Sequence, residues 1–157
     1  MDNAPVSAIT IEELAARVGG EPFVSGWFAI AQARIDAFAE VTEDRQFIHI
    51  DPEKALATPF GGTVAHGFLT LSMLSMLAKD ALPTISGVAM GVNYGFDRVR
   101  FVTPVRAGAR VRGRFKLVGA TRRSPQEWLM THEASVEIEG APKPAIAAQW
   151  LTMYVAG

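Results

Sequence analysis

An α+β fold is predicted, an antiparallel sheet curled around one long central apolar helix, and three observations predict it. From about His66 to Leu82 the chain is apolar on every face (Phe68, Leu69, Leu71, Met73, Leu74, Met76, Leu77), so this segment needs protein on all sides. Beyond Pro83 the pattern reads as strands, with apolar residues at period two. Between Arg110 and Val118, basic residues at 110, 112, 114 and 116 alternate with Val111, Gly113, Phe115 and Leu117, which gives one charged face and one core face.

Each element follows in order. Thr10 and Glu13 form a capping box and Gly19-Gly20 a stop, so a short helix is expected at about 10–19. Phe23 to Ile30 reads as a first strand. Ile35, Phe38 and Val41 then recur at helical spacing and predict a helix that presents a loop at Asp44. Pro83 ends the central helix. Val92, Tyr94 and Phe96 share one face of the next strand before the apolar phase moves to Val99 and Phe101, and a bulge between Gly95 and Arg98 accounts for the shift.

The basic strand is answered by the one after it. There Trp128, Met130, Ala134, Val136 and Ile138 share a face, with His132 among them as a core or interface residue, while Glu133, Glu137 and Glu139 face the basic row. Glu139-Gly140-Ala141-Pro142 turns the chain into a last strand from about Ala145 to Val155. The whole, 1–157, is expected to be a single domain with its core over about 23–156. An open sheet edge invites a second copy, so at least a homodimer is expected.

Composition narrows the function. A formal net charge of −1 and a pI near 6.3 give no global case for nucleic acid or an anionic membrane. With no cysteine, disulfides, thiolate metal sites and a cysteine nucleophile are excluded, which suits the cytoplasm. The start, Met-Asp-Asn-Ala-Pro, lacks the basic region and apolar core of a signal peptide. The run from Val64 to Ala78 is shorter than the roughly 20 residues a bilayer needs, so no membrane partner is expected.

The chemistry is concentrated in Thr42-Glu43-Asp44-Arg45-Gln46-Phe47-Ile48-His49-Ile50-Asp51, followed at 59–67 by Pro-Phe-Gly-Gly-Thr-Val-Ala-His-Gly. An acid and a histidine lie five positions apart on a loop, just ahead of a glycine-rich helix start. Backbone N–H groups there lack intrahelical partners and can stabilise developing negative charge. Acid–base chemistry on a carbonyl compound is implied. Asp44 could equally cap a turn, Gly67 could simply allow close packing, and Ser75 is by itself an ordinary small helix residue. His66, at the mouth of a buried helix, is assigned a hydrogen-bonded structural role. Histidines 49, 66 and 132 have no zinc-motif spacing, so no metal is expected. The basic row pairs with glutamates and is read as a solvated face, leaving Arg98, Arg100 and Arg106 as possible phosphate contacts.

These residues resemble the MaoC-like (R)-specific enoyl-thioester hydratases and dehydratases, in particular the nodulation-protein-N-like branch. The likeness runs from about Gly26 to Val155 and includes Ala-His-Gly-Phe-Leu-Thr, Asn93-Tyr94-Gly95 and Val99-Arg100-Phe101 before Pro104-Val105. It implies a hotdog fold, commonly dimeric with active sites near the interface. It also implies hydration of a trans-2-enoyl thioester to an (R)-3-hydroxyacyl thioester, and the reverse dehydration, with coenzyme A or an acyl carrier entering as part of the substrate and no other cofactor.

By the same resemblance Asp44 and His49 hold a water between them. One takes a proton from it as the oxygen attacks the β-carbon, the other delivers a proton to the α-carbon, and the Gly67 N–H steadies the thioester oxygen. Ser75 borders the site. The family pattern usually reads Thr-Gly-Asp with Asn-Pro before the histidine, whereas here Glu43 stands for the glycine and Gln46-Phe47 for Asn-Pro. Gln46 keeps an amide that could hold the loop, and Phe47 is placed to line the acyl pocket. Two other readings remain open at this point: a hotdog thioesterase, and a non-catalytic acyl-thioester-binding module.

Overall fold

A computed structural model describes residues 8–157. The elements run α1 Ile11–Ala15, β1 Phe23–Val24, β2 Phe28–Ala29, α2 Gln32–Thr42, α3 Phe47–Ile50, α4 Pro52–Leu56, α5 Gly67–Ser72, α6 Leu74–Ala81, β3 Val88–Phe101, β4 Arg110–Arg122, β5 Glu127–Ile138 and β6 Ile146–Ala156. The sheet is antiparallel with order β1-β4-β5-β6-β3, and β2 also pairs with β4. It wraps the α5–α6 helix. Leu69, Leu74 and Leu77 from that helix meet Val111, Phe115, Val136, Ile146 and Trp150 from the sheet in one buried cluster, the expected hotdog arrangement.

The capping box forms as read, with Glu13 N–H donating to Thr10 Oγ1 at 3.1 Å and Thr10 N–H to Glu13 Oε2 at 2.7 Å. On β4 and β5, Arg112 stands opposite Glu137 and bonds it at 2.6 Å, and Arg110 reaches Glu139 at 2.9 Å. Register shifts in β3 between Asn93 and Gly95 and between Phe96 and Arg98 are the expected bulge, in two steps.

Four expectations need correction. The strand from Phe23 to Ile30 is instead two two-residue strands, β1 and β2. Between them Ser25 turns its side chain inward, where its Oγ accepts from Gly113 N–H (2.8 Å), and Gly26 N–H donates to Asp80 on the central helix (2.8 Å). The central helix is divided at Met73 (φ −68°, ψ −14°). Just before that point Ser72 Oγ donates back to the Phe68 carbonyl at 2.7 Å, a competing bond that bends helices. Nor is the helix buried all round within one chain: Phe68 is 66% exposed, and Ser72, Ser75, Lys79 and Asp80 face outward. In α2, Ile35 and Ala39 are buried and Phe38 is half-buried, but Val41, next to last in the helix, is exposed.

Candidate active site

α2 ends at Glu43, which adopts the left-handed conformation at φ +60°. That is where the family pattern has glycine, and a side chain there carries steric cost. The reversal delivers Asp44 to the outer end of the central helix. His66 Nε2 lies 2.9 Å from the Asp44 backbone carbonyl. A carbonyl only accepts, so His66 is protonated on Nε2, and its Nδ1 is buried without a partner.

His49 is held more tightly. It sits in the short helix α3, whose first turn closes by His49 N–H to Gln46 O at 2.9 Å. Its Nδ1 lies 2.7 Å from the Val64 carbonyl, which fixes the proton on Nδ1 and leaves Nε2 as an acceptor. Val64 is pinned in turn, its N–H donating to Ile48 O at 3.0 Å, while Ala65 N–H donates to Val105 O at 2.8 Å. Burial lowers the His49 pKa below the ordinary imidazole value; the Val64 bond and Asp44 oppose this and His66 adds to it. The ring is therefore neutral at pH 7.

The His49 and His66 rings stack with centroids 3.7 Å apart and planes 24° apart, and Phe38 closes on His66 at 4.9 Å. Asp44, His49 and His66 each offer an oxygen or nitrogen within 4.8 Å of the others. Imidazole lone pairs lie in the ring plane, so stacked rings do not aim both at one ion, and His66 Nε2 is already committed to Asp44. The spacing suits a bridging water better than a metal. Arg45 is bonded to Glu40 at 2.9 and 3.0 Å, so the cation beside Asp44 does not cover its carboxylate.

His49 and Gly67 both border a cavity of about 410 Å³ with Ile48, Phe60, Phe68 and Phe101, walls that are mostly apolar. Gly67 is in close quarters: a Cβ there would meet the Phe101 ring at 2.8 Å. Close packing is thus one reason for the glycine, and its position at the first turn of α5, on the cavity wall, is compatible with a donor role as well. Asp44 is exposed beside this cavity rather than on its wall.

Other expected residues lie elsewhere. Phe47 is 42% exposed and does not border the His49 cavity, where Ile48 does. Gln46 is exposed and its amide caps nothing. The amide that holds the loop belongs to Gln32, whose Nε2 donates to His49 O at 2.7 Å while its Oε1 accepts from Thr63 Oγ1 at 2.6 Å. Ser75 borders a separate cavity with Asn93, whose Nδ2 is 3.4 Å from Ser75 Oγ. Arg106 donates to Gly61 O at 2.6 Å and lies over Gly62, so it clamps the glycine turn. Sequence reading missed Gln32, 17 positions from its partner, whereas the hydrogen-bonded structural role it gave His66 is met by the Asp44 carbonyl.

The family described as MaoC like domain matches residues 13–138. The chain belongs to the MaoC-like family. It is 47% identical over 146 residues to nodulation protein N of Rhizobium leguminosarum bv. viciae, covering 92% of this chain and 91% of that one. It is 42% identical over 147 residues to 3-hydroxyacyl-thioester dehydratase Z of Mycobacterium tuberculosis, covering 94% and 97%. Among solved structures, the (R)-hydratase of A. caviae superposes with a TM-score of 0.67 at 24% identity, over 85% of this chain and 93% of that one. This last likeness speaks to the hotdog fold alone.

Proposed function

We propose that this chain hydrates trans-2-enoyl thioesters to (R)-3-hydroxyacyl thioesters and catalyses the reverse dehydration. The observation that carries the reading is the pairing of the Asp44 carboxylate with a neutral, tautomer-fixed His49 within one-water reach, His49 bordering an apolar cavity. The dehydratase relative, aligned over nearly the full length of both chains, supports the same reaction.

Asp44 accepts one O–H of the bound water and orients it. His49 Nε2 takes the other proton as the oxygen bonds to the β-carbon, and the π pair moves toward the thioester oxygen, which the Gly67 N–H steadies. The imidazolium then returns its proton to the α-carbon on the same face, so atoms and charge balance. His66 keeps Asp44 and His49 in place through the Asp44 carbonyl bond and the ring stack. The chemistry requires no metal or redox cofactor, and coenzyme A or an acyl carrier arrives with the substrate. Among the described residues no helix is long and apolar enough to cross a membrane.

The working particle is a homodimer joined through β3. This strand is 14 residues long, ends the sheet with an open edge, and exposes Met90, Val92, Tyr94 and Phe96. Phe68 and Phe101, an exposed edge-to-face pair at 5.8 Å, extend the same apolar surface to the cavity. Mixing the protein with crotonyl-CoA tests the reaction. Loss of the conjugated enoyl absorbance without thiol release is expected; thiol release, or no change, would contradict it. Sedimentation at micromolar concentration tests the dimer, and an active monomer would refute it.

A further inference from the structure

Gln32, the first residue of α2, commits its whole side-chain amide. Nε2 donates to the His49 carbonyl at 2.7 Å and to Asp36 Oδ1 at 2.8 Å, and Oε1 accepts from Thr63 Oγ1 at 2.6 Å. A carbonyl and a carboxylate only accept, so the amide has one orientation, its NH₂ toward His49 and Asp36 and its oxygen toward Thr63. Thr63 directly precedes Val64, whose carbonyl lies 2.7 Å from His49 Nδ1. His49 is therefore gripped at two points, its carbonyl by Gln32 and its ring by the residue after Gln32's other partner.

Backbone hydrogen bonds hold Gln32 and Thr63 on one stretch of chain, 105–109. Ile30 N–H donates to Ala109 O at 2.9 Å and Gly108 N–H to Ile30 O at 2.7 Å, which fixes the chain just ahead of α2. Ala107 N–H donates to Thr63 O at 3.0 Å, and Val64 bridges to Arg106 in antiparallel pairing. By contrast α3 is a single turn, too short to be stable through its own hydrogen bonds, so the place of His49 depends on what ties it down. Val64 N–H to Ile48 O is one tie and Gln32 is another.

The consequence is chemical. Nε2 accepts a proton only while Nδ1 carries the ring's own, and that tautomer is favoured only while Nδ1 stays within bonding distance of the Val64 carbonyl. Release of His49 O lets α3 draw back from Val64, and the neutral ring then divides its proton between the two nitrogens. We propose that Gln32 is a positioning residue for the reaction: by tying the His49 carbonyl to Thr63 it holds the imidazole against the Val64 carbonyl and keeps the Nε2 lone pair facing the water shared with Asp44. The role in turnover rests on the hydration reading above, whereas the control of the tautomer does not.

Gln32→Met, close in size but without the three hydrogen bonds, and Thr63→Val test this, with Thr63→Ser as the conservative variant. In the native protein, ¹⁵N spectra of the histidine rings at neutral pH should show His49 protonated on Nδ1 and bare on Nε2. In Gln32→Met and Thr63→Val the two resonances should move toward each other as the tautomers mix, and kcat for crotonyl-CoA should fall by about tenfold or more with KM little changed. Thr63→Ser should recover most of both. A purely structural role would lower the unfolding temperature and leave the His49 resonances of the folded protein where they were. Unmoved resonances in both variants, moved resonances with native kcat, or a defect in KM alone would overturn the proposal. Should Gln32→Met fail to fold, Thr63→Val carries the test, since it removes the hydroxyl with hardly any change of shape. Should the native protein hydrate no enoyl thioester, the reaction proposed above falls, and the resonances of the two variants still decide whether Gln32 sets the tautomer.

Discussion

His49 and His132 are both buried histidines on cavity walls, and they differ in one respect that decides what each can do. His49 donates Nδ1–H to the Val64 carbonyl at 2.7 Å, whereas neither nitrogen of His132 has a partner. Burial lowers both pKa values. The Val64 bond limits the drop for His49, while His132, with desolvation alone acting, falls to about 4. The Val64 carbonyl, with Asp44 beside it, thus sets His49 apart from a ring on which desolvation acts alone.

The largest expected effect tests the first half of that contrast. His49→Gln should lower hydration of crotonyl-CoA by roughly 100-fold or more with the fold retained, as measured by enoyl absorbance and circular dichroism. A variant of near-native activity would show that Nε2 is not the proton carrier. The pH profile sharpens the same point. With the His49 pKa lowered, kcat/KM should stay level through neutral pH and decline only below the ordinary imidazole value, as the ring becomes protonated. A decline beginning above pH 7 would contradict this.

His132 bears on stability instead. Its folded pKa of about 4 lies below the unfolded value near 6.5, so the unfolded state binds the extra proton. The resulting stability is fully present above pH 6.5 and is lost as pH falls toward 4, on the order of 3 kcal/mol in all. Urea unfolding across this window should show that slope in the native protein and a flatter one in His132→Phe. Equal slopes would mean that the buried imidazole is not kept neutral by the fold.

The smallest effect belongs to the loop that feeds His49's partner. Glu43 at φ +60° should accept glycine easily, so Glu43→Gly is expected to change stability by no more than about 1 kcal/mol, in either direction, and to keep activity. A large loss would show that the Glu43 side chain holds the loop.

The sheet was legible because its pattern is local: alternation fixed the faces of β4 and β5, and the bulge showed as a phase shift at Gly95 to Arg98. The break at Met73 was not legible, since the apolar run continues through it; the Ser72 hydroxyl, bonded back to the Phe68 carbonyl, lies beside it. Asp44, His49 and Gly67 were singled out through motif order. Gln32, Thr63 and the His66–Asp44 bond were hidden because they join residues 17 to 31 positions apart through polar groups that no periodicity reports.

The central claim is that Asp44 and His49 act on one water. Crotonyl-CoA hydration by Asp44→Asn, His49→Gln and the double variant tests it most directly, because groups sharing one water form a unit whose losses do not add. The double variant is predicted to be about as slow as the slower single variant. A double variant slowed by the product of the two single defects would show that the residues work independently and would contradict the shared water.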